Sequence, residues 1–220
     1  MRVTVIEAET LGEAWLAVSR AALETGLPAS WGGLETRELP TLTIEVARPA
    51  TADPVIAELG DPAWLAWMHE NFFVRKDVVE LGNARSYACR LFDYAGAGRD
   101  QLAWVVARLA ADPTCRDATI TTFEPLEDTS YVPCVSMLDF WQPSGALELV
   151  VYAHSLDFGK KAYGNLVELA ALQEHVARGL DLPVGRLVLH VKPAHVYATE
   201  FELMARLTGA VRPVAAAESR

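Results

Sequence analysis

Two strand-like segments joined by a short turn, with a long amphipathic helix after them, restrict what this chain can fold into. Val135 to Trp141 and Leu147 to Tyr152 are rich in apolar residues, and Gln142-Pro143-Ser144-Gly145 between them is typical of a turn. Tyr163 to Gly179 carries apolar residues at helical spacing and ends at a glycine. Arg186 to Val191 then reads as another strand. The pattern predicts a mixed α and β fold with more neighbouring hairpins than βαβ units.

The other elements continue this mixed pattern. Short apolar runs predict strands, and apolar residues at helical spacing, bounded by proline or glycine, predict helices. Residues 29–40 and 82–99 contain glycine and show no clear period, so we expect loops there. The predicted strands are residues 2–7, Leu42 to Val46 and Asp117 to Phe123, and the predicted helices are Glu13 to Glu24, Pro62 to Phe73, Asp100 to Ala111 and Ala198 to Leu207.

The size and composition favour one folded domain. With 220 residues, of which 51% are hydrophobic and 22% charged, the chain can bury a sizeable core. No repeat or linker divides it, so we expect a single domain over residues 1–209. The segment 210–220 is rich in alanine and charged residues and is expected to be a frayed tail.

The charge and the cysteines restrict the partners and the compartment. The formal net charge is −10, which argues against binding to nucleic acid or to an anionic membrane surface. No apolar run approaches the roughly 20 residues that span a bilayer. The first residues lack the long apolar stretch of a secretory signal. The three cysteines are odd in number and form no C-x-x-C pair, which suits free thiols in a reducing cytoplasm.

Cys134 is the residue whose position most suggests chemistry. It follows Tyr131-Val132-Pro133 directly before a predicted strand, a junction that can present a thiol to a cleft. A nearby cation or dipole that lowered its pKa would make the thiolate a nucleophile. Taken alone, a cysteine beside apolar residues is more often a small core residue.

Other polar and aromatic residues have simpler explanations. His190 and His195 are five positions apart, but no carboxylate motif accompanies them, so we expect no metal site. Lys160-Lys161 reads as a solvated turn. Trp64 and Trp67 stand at helical spacing, which indicates core packing rather than a stacking platform.

Several spaced motifs between Asp100 and Glu202 occur together in one order. A Pro-Cys pair precedes a strand, and a tyrosine, an S-x-D motif and an asparagine near the start of a long helix follow. This run resembles the thymidylate synthase family, including the pyrimidine nucleotide hydroxymethylases. The residues that carry the resemblance are Pro133-Cys134, Tyr152, Ser155-Leu156-Asp157, Asn165, His195-Val196-Tyr197, Asp100-Gln101-Leu102, Asp112-Pro113-Thr114-Cys115-Arg116 and the upstream Ala66-Trp67-Met68-His69-Glu70-Asn71.

The resemblance implies a bent mixed β-sheet flanked by helices, and a mechanism. Cys134 would add as a thiolate to C6 of a pyrimidine, which makes C5 nucleophilic towards the carbon of 5,10-methylenetetrahydrofolate. Tyr87 resembles the family tyrosine that helps to remove the C5 proton through ordered water. Asn165 would donate to a ring carbonyl and accept from N3–H, which favours uracil over cytosine. The alternative role of Asn165 is a helix N-cap.

The resemblance also assigns the other binding residues. Asp157 would contact the pterin of the folate. Arg116 would complete the phosphate site of a second subunit, which implies a homodimer. His195 and Tyr197 would hold the sugar hydroxyl, and Ser155 would hold a phosphate oxygen. Arg37 would stand for the N-terminal phosphate arginine, and His154 occupies the position of another phosphate arginine.

The sequence departs from the family at the phosphate and folate ends. Asp117 replaces the second of two adjacent arginines, and His154 replaces a third phosphate arginine, which it would replace in function only when protonated. Lys161 stands at a glycine of the folate wall, and Lys76 stands near the folate-stacking tryptophan. A catalytic glutamate has no clear equivalent. Hydroxymethyl transfer is therefore as compatible with the sequence as methyl transfer.

Three hypotheses remain at this stage. The first is a C5 methyl- or hydroxymethyltransferase that acts on a pyrimidine nucleotide or nucleoside. The second is a non-catalytic relative that binds a nucleotide or a partner. The third is an enzyme whose Cys134 adds to a conjugated acceptor without folate. Replacement of Cys134 by alanine separates the first hypothesis from the second, because it would abolish transfer and spare ligand binding.

Overall fold

A computed structural model describes residues 3–129 and 131–211 of the chain. The predicted frayed tail therefore lies almost wholly outside the described residues. The strands are β1 (Thr4–Ala8), β2 (Leu27–Trp31), β3 (Leu34–Leu39), β4 (Leu42–Val46), β5 (Asp77–Val78), β6 (Ala84–Arg85), β7 (Thr119–Thr121), β8 (Val135–Trp141), β9 (Leu147–Ala153), β10 (Leu156–Asp157), β11 (Val184–Val191) and β12 (Ala194–Tyr197). The helices are α1 (Leu11–Thr25), α2 (Pro54–Leu59), α3 (Pro62–Phe73), α4 (Tyr87–Phe92), α5 (Gln101–Ala111), α6 (Ala162–Gly179) and α7 (Phe201–Thr208).

The central sheet has six strands in the order β1-β4-β11-β9-β8-β7. Strands β8 and β9 pair antiparallel, which confirms the predicted hairpin. Strands β9 and β11 pair parallel, and the chain passes between them through α6. The prediction of a mixed α and β class is therefore confirmed.

The two faces of this sheet differ. Side chains alternate along each strand, so every second residue points to the same face. One face packs against α1 and α6 and carries the buried core residues Leu42, Ile44, Leu149, Val151, Leu187 and Leu189. The other, which we call the open face, carries Thr43, Val188, Val150, Tyr152, Met137 and Trp141, none of which is buried among the described residues.

A second sheet positions several site residues. Its order is β10-β12-β3-β2, and β10 pairs parallel with β12 so that Asp157 stands opposite His195. Strand β12 also pairs antiparallel with β3, which sets His195 opposite Glu38. These short strands bring the S-x-D motif and the H-x-Y motif together, although 37 residues separate Asp157 from Ala194 in sequence.

The loop predicted over residues 29–40 is wrong. Strands β2 and β3 form a hairpin there, around Gly32 and Gly33 with φ of 58° and 80°. Positive φ at both central residues suits the tight turn of a two-residue hairpin. The strands carry many polar residues and β2 is largely exposed, so apolar alternation was absent from the sequence.

The loop predicted over residues 82–99 is also wrong in part. Helix α4 begins after Ser86, whose Oγ accepts a hydrogen bond from the backbone N–H of Cys89 at 3.3 Å. With six residues the helix is too short to show a period, and its buried face depends on tertiary packing. Among the described residues, no helix is long and apolar enough to cross a membrane.

Candidate active site

Cys134 lies directly before β8, where backbone pairing holds it in place. Its carbonyl oxygen accepts a hydrogen bond from the N–H of His154 at 3.0 Å, and the next N–H, of Val135, donates to the hydroxyl oxygen of Tyr87 at 2.9 Å. Burial raises the pKa of the Cys134 thiol. The charge of Lys161 and a hydrogen bond from Tyr131 lower this pKa. The thiol packs against the hydrophobic core, and burial is the largest effect on its pKa.

The backbone and the ring of Tyr87 are both held by contacts. Its backbone N–H donates to Oδ1 of Asn71 at 3.2 Å, and its ring stacks on Phe72 with centroids 4.3 Å apart. Burial, followed by the charge of Cys134, raises the pKa of Tyr87 well above its usual value. The hydroxyl therefore stays protonated near neutral pH and can donate a hydrogen bond beside the thiol.

A buried ion pair between Arg90 and Asp128 lies next to the segments that carry Tyr87 and Cys134. The guanidinium of Arg90 donates to both oxygens of Asp128 at 2.7 and 2.8 Å and to the carbonyl oxygen of Thr122 at 2.8 Å. Arg90 follows Tyr87 by three residues on α4, and Asp128 precedes Tyr131 in the loop before Cys134. The ion pair therefore links α4, which carries Tyr87, to the loop that carries Tyr131.

Ser155, Asp157, His195 and Tyr197 form a second group, brought together by the pairing of β10 with β12. Ser155 Oγ lies 3.4 Å from Nδ1 of His195, and the rings of His195 and Tyr197 meet edge to face at 4.9 Å. Burial lowers the pKa of His195 and raises that of Asp157, while each group's charge opposes the shift of the other. Burial, followed by the charges of Asp157 and Cys134, raises the pKa of Tyr197.

Asn165 is buried in the first turn of α6, but it neither opens nor caps the helix. Lys161 precedes the first helical residue, and its carbonyl oxygen accepts from the backbone N–H of Asn165 at 3.2 Å. The alternative of an N-cap role is therefore wrong. The side-chain nitrogen of Asn165 donates to Sδ of Met68 at 3.4 Å, so the amide is oriented by α3.

The residues expected at the phosphate do not come together within one chain. Arg37 stands opposite Val196, so it lies on the other face of its sheet from His195 and Tyr197, and it pairs with Glu35 at 3.9 Å. Arg116 is exposed in the loop between α5 and β7. His154 Nδ1 lies 3.3 Å from Ser136 Oγ, and burial, with the charge of Lys192, lowers its pKa. The protonated form that would replace an arginine is thus disfavoured.

Two cavities open beside the site. One of about 600 Å³ lies on the open face and is lined in part by Gln101, Ser136, Tyr152 and His154. The other, of about 560 Å³, lies between α2, α3 and α6, where Nδ1 of His69 is 3.2 Å from the buried carboxylate of Glu168. Among the described residues no group of histidine, cysteine, aspartate and glutamate could hold a metal ion.

Sequence reasoning missed Tyr131, and it assigned Lys161 to a solvated turn and, through the resemblance, to the folate wall. Nζ of Lys161 lies 5.4 Å from the ring centroid of Trp64 and 5.9 Å from that of Trp67, whereas Lys160 is exposed and lies 4.8 Å from Trp64. The two indoles meet edge to face at 5.4 Å and pack against the core as expected. The signal for Tyr131 was its place three residues before Cys134; no local signal pointed to Lys161.

The comparisons with known proteins identify the family of the chain. A family model described as thymidylate synthase matches residues 47–214. A protein provisionally named thymidylate synthase from Methanococcoides burtonii is 27% identical over 94% of this chain and 96% of its own length. A protein of the same provisional name from Methanothermobacter thermautotrophicus is 34% identical over 55% of this chain, which spans about half (54%) of that relative. A bifunctional dihydrofolate reductase-thymidylate synthase from Paramecium tetraurelia is 27% identical over 51% of this chain and 25% of its own length.

Proposed function

Because the chain belongs to the thymidylate synthase family, we propose that it is a one-carbon transferase that acts at C5 of a pyrimidine nucleotide or nucleoside. One observation carries this proposal: the backbone N–H next to Cys134 donates to the hydroxyl of Tyr87 at 2.9 Å, and strand pairing sets Asp157 opposite His195 beside Tyr197. A nucleophile beside protonated hydroxyls and a histidine–carboxylate pair is what addition to a pyrimidine requires.

The first chemical step is addition of the Cys134 thiolate to C6 of the ring. An S–C6 bond forms, the C5–C6 double bond opens, and the electron pair moves to C5 and the C4 carbonyl oxygen. Asn165 binds the ring through its amide, and the orientation of that amide by Met68 supports this role. An amide that can donate and accept favours uracil.

The second step takes the proton from C5 after the carbon has been attached. Tyr87 acts here, because its hydroxyl stays protonated and can hold a water molecule that receives the proton. Breaking of the bond between the transferred carbon and the folate nitrogen would leave that nitrogen protonated, and hydride or water would complete the product at that carbon. Elimination of the thiolate from C6 would then restore the C5–C6 double bond. His195 and Tyr197 bind the sugar hydroxyl, and Ser155 orients His195.

The residues fit 5,10-methylenetetrahydrofolate as the carbon donor. The half-buried carboxylate of Asp157 can accept hydrogen bonds from a pterin, as it does from the backbone N–H of Gly159 at 3.0 Å. When bound, the folate supplies the one-carbon unit and, for a methyl product, hydride. Asp157 would hold the pterin ring. The side chain of Lys161 stands at the folate wall, where the family has a glycine.

A homodimer completes the site in this proposal. The open face leaves Met137 and Trp141 each 41% exposed, and the 600 Å³ cavity opens on it beside His154. A second copy that covers this face would bury those side chains and bring its own Arg116 towards the phosphate. Association of two copies therefore accounts for the scattered phosphate residues of one chain.

Tritium release from C5-labelled pyrimidines tests the function. Uracil and cytosine would be offered as nucleosides and as ribo- and deoxyribo-monophosphates, each with and without methylenetetrahydrofolate. Release that requires folate and Cys134 supports transfer, and the mass of the product distinguishes methyl from hydroxymethyl. Release without folate favours the folate-independent enzyme. No release from folded protein that still binds a nucleotide favours the non-catalytic relative.

A further inference from the structure

Two side-chain hydroxyls hold the backbone of Val135, the residue that follows Cys134. The hydroxyl oxygen of Tyr87 accepts a hydrogen bond from the N–H of Val135 at 2.9 Å, and Oγ1 of Thr122 donates to the carbonyl oxygen of Val135. Val135 and Thr122 are fully buried, so solvent does not compete for these bonds. The place of the Cys134 thiol therefore depends on where the two hydroxyls lie.

The two hydroxyls come from different parts of the chain. Tyr87 is the first residue of α4, and Thr122 follows the last residue of β7. Helix α4 has six residues and strand β7 has three, so each is too short to fix its own position. A connection between the two segments is needed to keep both hydroxyls within reach of Val135.

Arg90 makes that connection. It lies on α4, three residues after Tyr87, and its Nη1 donates to the carbonyl oxygen of Thr122 at 2.8 Å. Its Nε donates to the carbonyl oxygen of Arg85, in β6, at 3.1 Å. One guanidinium is thus bonded to the segment that carries Thr122 and to the backbone on which α4 begins.

Asp128 fixes the orientation of this guanidinium. Its two carboxylate oxygens accept from Nη1 and Nη2 of Arg90 at 2.8 and 2.7 Å, and its Oδ2 also accepts from the backbone N–H of Glu124 at 2.7 Å. The side chains of Arg90 and Asp128 are only 3% and 6% exposed. A planar guanidinium donates in fixed directions and so keeps its partners at set distances, which the ammonium of a lysine does not.

Stability alone does not account for this buried ion pair. Removing two charges from water costs about as much as their attraction contributes, and apolar side chains of similar volume often stabilise a fold equally well. The pair of Arg90 and Asp128 differs from such a replacement in its directed bonds to Thr122 and Glu124, which precede Cys134 in sequence. Those bonds indicate a role in geometry.

We propose that Arg90 is a positioning residue for Cys134. By holding Tyr87 and Thr122 together, it fixes the start of β8 and with it the place of the thiol. The proposal rests on the proposed function in taking Cys134 as the nucleophile. Arg90 acts through the two hydroxyls and not on the substrate.

The kinetics of tritium release test this role in the reaction. Arg90→Lys keeps the charge and loses the planar group, and Arg85→Lys is the matched control because that side chain is partly exposed and pairs with Glu124. With rates corrected for the folded fraction, Arg90→Lys should lower kcat by about a hundredfold and leave KM within about threefold, since a shift of about 1 Å has that effect. An unchanged kcat, or equal losses in the two variants, would overturn the proposal.

Amide hydrogen exchange tests the geometry without requiring transfer activity. The N–H of Val135 is protected by its bond to Tyr87, and the N–H of Leu149 in the middle of β9 is the reference. In Arg90→Lys, exchange should accelerate about tenfold more at Val135 than at Leu149, because local loosening affects one amide and global destabilisation affects both. Equal acceleration at the two amides would contradict the proposal.

A second variant keeps the test decisive if Arg90→Lys unfolds. Asp128→Asn, with folding checked by circular dichroism, leaves one acceptor oxygen for the guanidinium and removes the other. Exchange at Val135 should again accelerate more than exchange at Leu149, and an equal response would overturn the proposal. Absence of tritium release from the wild type would refute the proposed function and leave these exchange rates as they are.

Discussion

The two ends of the candidate site are built in different ways. The nucleophile end (Cys134, Tyr87, Asp157, His195) is joined by backbone hydrogen bonds and strand register within one chain. The phosphate end (Arg37, Arg116, His154) is spread over a strand face, an exposed loop and the open face of the central sheet. Within one chain, strand pairing brings Asp157 and His195 of the proposed nucleophile end together, whereas Arg37 of the proposed phosphate end lies on the other face of its sheet.

The residues of the nucleophile end hold their relative positions because paired strands and backbone hydrogen bonds fix them. A residue between paired strands cannot move without breaking backbone hydrogen bonds, so the nucleophile end is preorganised.

Replacing Cys134 by alanine should reduce C5 transfer by at least about ten-thousandfold, because the covalent step loses its nucleophile. Tritium release measures the loss, and calorimetry should still detect the nucleotide. Cys89→Ala is the matched control and should retain transfer. Residual activity within tenfold of the wild type would show that Cys134 is not the nucleophile, and the proposed nucleophile end would then be wrong.

Replacing Arg90 by methionine should lower the free energy of unfolding by about 3–5 kcal/mol, because Asp128 is left buried without its partner. Urea denaturation measures this change. Arg20→Met breaks an exposed pair with Glu24 and should have a far smaller effect. Equal losses in the two variants would contradict the claim that buried contacts fix the nucleophile end.

Replacing Arg116 by alanine should raise the KM for a pyrimidine monophosphate by about tenfold, because one charge-assisted hydrogen bond to phosphate is lost. The KM for the corresponding nucleoside should not change. Arg178→Ala, at the far end of α6, provides an exposed control. An unchanged ratio of the two KM values would remove Arg116 from the phosphate end.

His154 should make the protein less stable in acid. Its folded pKa is depressed, so its contribution to stability is present above its unfolded pKa near 6.5 and is lost as the pH falls through the folded value. Between pH 7 and pH 5 the wild type should therefore lose more stability than His154→Gln, as measured by urea midpoints. A larger loss in the variant would indicate that His154 is charged in the folded protein.

Much of the fold could be predicted from local patterns. The β8–β9 hairpin has apolar strands around a Pro-Ser-Gly turn, and α5 begins at Asp100, whose carboxylate accepts from the N–H of Ala103 at 2.9 Å. The hairpin over residues 27–39 was missed because its strands are polar and partly exposed. Its pairing with β12, far along the chain, decides its structure.

The sequence by itself determined the order of elements, the mixed class and the family motifs, because periodicity, capping and motif spacing are local properties of the chain. Only the tertiary structure decided which motif residues meet. Strand register placed Asp157 opposite His195 and Arg37 on the other face, and the start of α6 carried Lys161 over Trp64. The raised pKa of Cys134 could not be predicted from the sequence, because it depends on burial and on charged groups that are close only in the folded chain.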